Sequence, residues 1–127
     1  MKNDPGLKAL AQSVVQALMR NVRGMRGCVV STEDGFEVAA HAQGLGATAR
    51  LSAMASSMAA LGEIAGEENQ LGECTSVVVE AASGFIVMLH ARRPGLALVL
   101  SVVASTEASL GQVLYASRRA VKVLEQP

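Results

Sequence analysis

The run Leu96-Ala-Leu-Val-Leu-Ser-Val-Val103 constrains the fold more than any other segment. Side chains alternate across a strand, so a strand with one wet face alternates apolar and polar residues. This run does not alternate. It must lie in the middle of a sheet that is covered on both faces, and the rest of the chain must supply both covers.

The flanking segments have the required periodicities. Asp4 before Pro5 is a helix start, with a side-chain acceptor at the N-cap and a proline where no N–H is needed. Leu7, Leu10, Val14, Leu18 and Val22 follow at spacings of three and four, and Gly24 can close the helix in a left-handed cap. Cys28–Ser31 and Phe36–Ala40 read as two strands of a hairpin around Thr32-Glu33-Asp34-Gly35. After Gly44-Leu45-Gly46 a second helix runs over 47–68. Strands are predicted at 74–81, 84–91 and 96–104, with turns at Ala82-Ser83-Gly84 and Arg92-Arg93-Pro94-Gly95. Thr106 and Glu107 open a last helix that points Leu110, Val113, Leu114, Val121 and Leu124 inward. Ser117 falls on that stripe, where its hydroxyl can bond back to its own helix. The order is α-β-β-α-β-β-β-α. Short turns demand antiparallel neighbours, so the fold class is α+β: a five-stranded antiparallel sheet with helices on both faces, as one domain over 1–127.

Composition narrows the function classes. Half of the 127 residues are hydrophobic, which excludes a disordered chain. Aromatics are 2%, with no Trp, too few for a base-stacking surface. Eleven basic and eleven acidic residues cancel, so no global field draws the chain to nucleic acid or an anionic membrane. The balance hides a pattern. Residues 1–26 carry five basic residues against one acid, 27–91 eight acids against one base, and 92–127 five bases against two acids. These are solvated faces, or a device that steers a partner. Cys28 and Cys74 follow no disulfide framework or metal spacing. MKNDPGLKAL lacks the apolar core of a leader peptide, and the longest uncharged stretch of helical pattern, 51–62, is too short to span a bilayer. A cytoplasmic protein without membrane insertion is the expectation.

Catalytic motifs are sparse. Gly44-x-Gly46-x-x-Ala49 matches a dinucleotide fingerprint, but a helix and a hairpin precede it where a first parallel strand should stand. Ser31, Asp34 and His41 crowd one hairpin and do not suit the geometry of a triad. His41 and His90 read as surface or edge residues, and no metal or cofactor site is expected. Arg92-Arg93 reads as an arginine finger or as two solvated turn residues.

The second helix is the unusual element. Leu51, Met54, Met58, Leu61 and Ala65 share a stripe beside a row of small residues, Ala55, Ala59, Gly62 and Gly66. Glycine inside a helix costs about 1 kcal/mol relative to alanine, so the row implies a neighbour close to the backbone. Ala49, Ala53, Ser56, Ser57, Ala60 and Ile64 make an outer face nearly free of charge, where a wet helix shows Lys and Glu. The strand Thr75–Glu80 follows. As a sheet edge it offers unpaired backbone groups to a second copy, with Glu80 as a gatekeeper at its end.

These segments resemble the roadblock / dynein light chain family. The likeness rests on Gly27-Cys-Val-Val-Ser-Thr-Glu-Asp-Gly35, on the Ala/Met-rich helix ending Leu61-Gly62-Glu63, and on Leu96-Ala-Leu-Val-Leu-Ser before a helix containing Leu110-Gly111. It implies a homodimer with third strands paired edge to edge and second helices packed together. The interface would be Ala55, Ala59, Gly62, Gly66, Ser76, Val78 and Glu80. It also implies a non-enzymatic regulator or scaffold of a Ras-like small GTPase, able in some members to stimulate GTP hydrolysis. The GTPase would sit on the second-helix side, at Arg50, Ser57, Ala60, Ile64 and Glu67. No long charged C-terminal extension of the kind many bacterial members carry is present, so an activity that needs one is not expected. The alternatives are a passive adaptor in a larger assembly and a small-molecule sensor.

Overall fold

A computed structural model describes residues 4–42, 44 and 46–126. Helix α1 (Pro5–Asn21) starts where Asp4 Oδ1 accepts a hydrogen bond from the Gly6 N–H at 2.9 Å. Its cap at the other end is Val22. Gly24, at φ +86°, then turns the chain into β1 (Met25–Thr32). A side chain at Gly24 would strike the backbone of Ala108 at 2.6 Å, so glycine is required there for space as well as for angle. Strand β1 turns into β2 (Glu37–Ala42) through Gly35, with the Phe36 N–H donating to Thr32 Oγ1 at 3.0 Å.

Helix α2 spans Ala47–Glu68. Strands β3 (Ser76–Ala81), β4 (Gly84–Arg93) and β5 (Leu96–Ser105) follow, then α3 (Leu110–Leu124). The predicted order of elements is observed. The last helix starts later than expected. Residues 106–108 form a turn closed by the Ala108 N–H on Ser105 O, and Ser109 is the N-cap.

The strands lie in the order β2-β1-β5-β4-β3, with every pair antiparallel. The non-alternating β5 is central, as its composition demands. Helices α1 and α3 cover one face and α2 covers the other. The two covers are unequal. Among the described residues, nineteen buried apolar residues form the core under α1 and α3, including Leu18, Val30, Leu100 and Leu124. Under α2 the buried apolar cluster is Ala55, Ala59, Met88 and Val99.

The rest of that thin layer is polar. Ser101 lies two residues from Val99, His90 two from Met88, and Ser31 pairs directly with Val99, so all three face α2. With Ser52 of α2 they are buried, and none of their side-chain polar atoms makes a hydrogen bond among the described residues. Burying such groups unpaired costs roughly 1–3 kcal/mol each, so α2 is held to its own sheet weakly for its length. Ser117 is likewise buried without a partner and does not bond back to α3.

Candidate protein-interaction site

Helix α2 settles on the sheet through its smallest residues. Leu51, Ser52, Ala55, Ala59 and Gly66 are its buried positions. The larger stripe is split: Leu51 is buried and Met58 packs against the cluster under the helix, whereas Met54 is 47% exposed and Leu61 67%, and Ala65 is exposed too; Ile64, of the outer face, is 55% exposed. This corrects the expectation for the small row. Ala55 and Ala59, 0% and 2% exposed, have no surface to offer a second chain. The neighbour that approaches the backbone is the chain itself. A Cβ on Gly62 would meet Cys74 Sγ at 2.6 Å and Val77 Cγ2 at 3.0 Å, and one on Gly66 would overlap the carbonyl oxygen of Gly72. The two glycines let the end of α2 press against the segment that enters β3.

Of the nearly uncharged outer face, Ala49, Ala53, Ser57, Ala60 and Ile64 are exposed and Ser56 is half-buried. Arg50, Ala53, Ser57, Ala60, Ile64 and Glu67 are all exposed on one side of α2. Strand β3 is an edge, and Ser76, Val78 and Glu80 share the side facing away from α2. Val77 packs with the α2 cluster, so Val79, 45% exposed, lies on the α2 side. Between the C-terminal half of α2 and β3 runs a groove of about 650 Å³, lined by Leu61, Ala65, Leu71 and Val77 among others. Sequence reasoning missed Leu71, which is 79% exposed. Its signal was a large apolar residue in a polar turn between Gln70 and Gly72.

Two arginines fasten this region. Arg92 and Arg93 end β4 rather than forming a turn. Arg92 Nη2 lies 3.0 Å from Glu63 Oε1 on α2 and donates to Cys74 O at 3.0 Å, and its Nε lies 2.6 Å from Glu73 Oε2. Its backbone N–H donates to Glu125 Oε2 at 2.9 Å. Arg93 Nη1 donates to Leu124 O and Gln126 O. Both guanidinium groups are therefore spent inside the chain, as neither a finger nor solvated turn residues. Arg92→Ala removes the shared partner of Glu63, Glu73 and the Cys74 carbonyl. It is expected to cost about 1–3 kcal/mol, read as a lower urea midpoint, while Arg92→Lys restores only part because one ammonium cannot span the three sites.

His90 is buried beside this clamp, contrary to the surface position expected for it, whereas His41 is exposed. His90 Nε2 lies 3.5 Å from Glu63 Oε1 without a hydrogen bond. Burial and then the Arg92 guanidinium push its pKa below the ordinary 6.5, against the opposing pull of Glu63, Glu33 and Glu73. The native ring thus refuses a proton that the unfolded chain accepts. Stability is full above 6.5 and falls as pH drops from there toward the folded value. The urea midpoint is expected to fall between about pH 7.5 and about pH 5, with a shallower fall in His90→Gln. Burial also pushes the Cys28 thiol up to about 12, so it is inert toward thiol reagents in the native state.

The remaining motifs do not assemble. Ser31 Oγ is buried with no partner, and Asp34 accepts instead from Thr32 Oγ1. Gly44 and Gly46 adopt left-handed angles before α2 but follow an antiparallel edge strand, not a parallel one, and Leu45 of that motif lies outside the described residues. No cluster among the described residues could hold a metal ion, and no described helix is long and apolar enough to cross a membrane.

A five-stranded antiparallel sheet with α2 alone on one face and an open β3 edge is a specific arrangement. The Roadblock/LC7 domain model matches residues 11–101. The chain belongs to the Roadblock/LC7 family. A Roadblock/LC7 domain from Streptomyces avermitilis superposes with a TM-score of 0.79 at 26% identity, over 87% of this chain and 91% of that one. The gliding protein MglB from Thermus thermophilus gives 0.81 at 19% identity, over 94% and 88%. MglC from Myxococcus xanthus gives 0.60 at 21%, over 91% and 97%. No curated protein matches the chain. In this Roadblock/LC7 chain, the glycines and the Arg92 clamp serve the fold, and the outer face of α2 with β3 stands open.

Proposed function

We propose that this chain is a homodimeric, non-enzymatic regulator of a Ras-like small GTPase. The observation that carries the reading is the exposed, nearly uncharged face of α2 beside the free edge of β3. Two copies pair their β3 edges through the backbone at Ser76, Val78 and Glu80, which extends one sheet across both. Leu61, Leu71 and Val79 then close over the junction on the α2 side, in place of the small row. This hides apolar surface that one copy leaves wet. Farther around α2, Arg50, Ser57, Ala60, Ile64 and Glu67 remain as a stripe for the GTPase, consistent with what membership of the family implies.

Arg92 and Arg93 are tied into their own chain. Any stimulation of hydrolysis therefore uses no arginine finger from the end of β4. The same observation supports the adaptor reading, in which binding leaves the rate unchanged. Light scattering across a micromolar dilution series tests the dimer. Titration of a Ras-like small GTPase from the same genome, with hydrolysis and nucleotide exchange followed, tests the regulation. A single-copy mass, or no binding and no change in either rate, ends the proposal. Binding with both rates unchanged selects the adaptor.

A further inference from the structure

Strand β4 outruns its neighbour. The register of β3 on β4 begins with Ser76 opposite Leu89, and one further bond joins the His90 N–H to Thr75 O, whereas β4 continues to Arg93. Beside that overhang no strand lies on the β3 side. Residues 73–75 and the last turns of α3 border a cavity there of about 500 Å³. Leu89 packs in the layer of α1 and α3 while His90 faces α2, and both line the cavity, so it reaches around the edge of the sheet. The surfaces assigned above to a second copy and to the GTPase do not include it.

The acids and the cations that line it differ in how they are engaged. Glu73 Oε2 lies 2.6 Å from Arg92 Nε, and Glu125 Oε2 accepts from the Arg92 N–H at 2.9 Å, so both acids are turned to Arg92. Arg118 and Lys122 of α3 line the same cavity, are exposed, and make no ion pair among the described residues. They stand four residues apart, where like charges on a helix repel. An anion between them removes that repulsion and gains two charge-assisted contacts. His90 is a second, independent observation. Its side chain is 1% exposed, and neither ring nitrogen makes a hydrogen bond among the described residues. Every imidazole carries at least one N–H, so the wall of the cavity holds a buried donor without an acceptor.

We infer that this cavity binds the phosphate group of a small phosphate monoester, held by Arg118 and Lys122 with His90 as a neutral donor. A phosphate monoester presents three strong acceptor oxygens, one for each of these groups, and the volume is that of a small-molecule site. The ligand would join α3 to the segment that enters β3. The inference does not depend on the dimer or on the GTPase.

The probe is inorganic phosphate, titrated into the isotopically labelled full chain with the ionic strength held constant by chloride. Saturable backbone shifts are expected at 73–75, 89–92 and 118–125, and the His90 ring nitrogens should move with the same midpoint. Arg118→Gln and Lys122→Gln alter exposed side chains, and each is expected to weaken binding roughly tenfold with an unchanged circular dichroism spectrum. Glycerol 3-phosphate is expected to bind at least as tightly as phosphate, since the cavity has room for more than the anion. Shifts that stay linear in phosphate, or that chloride alone reproduces, overturn the inference. So does full-strength binding by either glutamine variant, or a His90 ring that does not respond. Binding of a phosphoserine peptide with glycerol 3-phosphate excluded assigns the cavity to a protein partner and also overturns it.

Discussion

Leu61→Glu combined with Val79→Glu is expected to turn the proposed dimer into a folded monomer. Both side chains are well exposed in one copy, so neither change disturbs the core, and the monomer should keep its stability to within about 0.5 kcal/mol. In the proposed pairing the same positions would meet across the junction. Each copy would lose roughly 2 kcal/mol of apolar burial at Leu61, and four carboxylates would face one another in a place poor in water. Desolvating even one charge without a partner costs several kcal/mol. The loss reaches roughly 4 kcal/mol or more, a thousandfold in dissociation constant. Sedimentation equilibrium checks the mass, and thermal melting of both proteins at low concentration checks that the fold survives. An unchanged dimer would move the interface elsewhere.

Gly66→Ala is expected to be the more damaging of the two glycine-to-alanine changes within α2. In an exposed helix the same change would gain about 1 kcal/mol. Here the new Cβ would overlap the carbonyl oxygen of Gly72, a backbone atom that cannot rotate away. Overpacking against backbone costs about 3 kcal/mol or more, so the net loss is roughly 2–3 kcal/mol, a fall of about 10 °C in Tm for a domain of this size. Gly62→Ala should cost less, because its new neighbours are the ends of the Cys74 and Val77 side chains. Replacing Cys74 by alanine should recover most of that loss. The distinction separates two roles of small residues. If the row served the dimer, both variants would lower the mass and leave the monomer's melting unchanged. If it serves the fold, melting falls at every concentration.

The thin, polar layer beneath α2 gives these predictions a common origin. The helix is twenty-two residues long but buries only Leu51, Ala55 and Ala59 as apolar side chains, against a layer holding Ser31, Ser52, His90 and Ser101 without hydrogen bonds. Such an element contributes little to the stability of one copy. Covering its outer face from outside adds burial that its inner face does not supply.

Much of this was legible from residues. The uniform apolarity of 96–103 located the central strand, and Asp4-Pro5 marked the first helix. The absence of charge on Ala53, Ser57 and Ala60 marked an unusual surface on the second helix. The rotation of α2 was not legible. Its large stripe and its small row lie side by side, and helical periodicity gives no preference between them. Close packing of the end of α2 against residues 72–77 decided it, since only the glycine side lets the backbones approach. His90 was misplaced because a lone histidine near the end of a strand looks the same whether or not a helix lies above it. The arginine pair was misplaced because residues before Pro-Gly read as turn, while their partners Glu63, Glu73 and Glu125 lie far away in sequence.

The sequence by itself determined which segments are helix and strand, their order, and that β5 must be buried on both sides. Those follow from local periodicity, turn chemistry and the alternation of side chains along a strand. Only the tertiary structure decided which face of α2 is free and where the two arginines point. It also showed that β4 outruns β3 and leaves a cavity beside α3. Each of those depends on the distance between backbones remote in the chain, and no local pattern carries that distance.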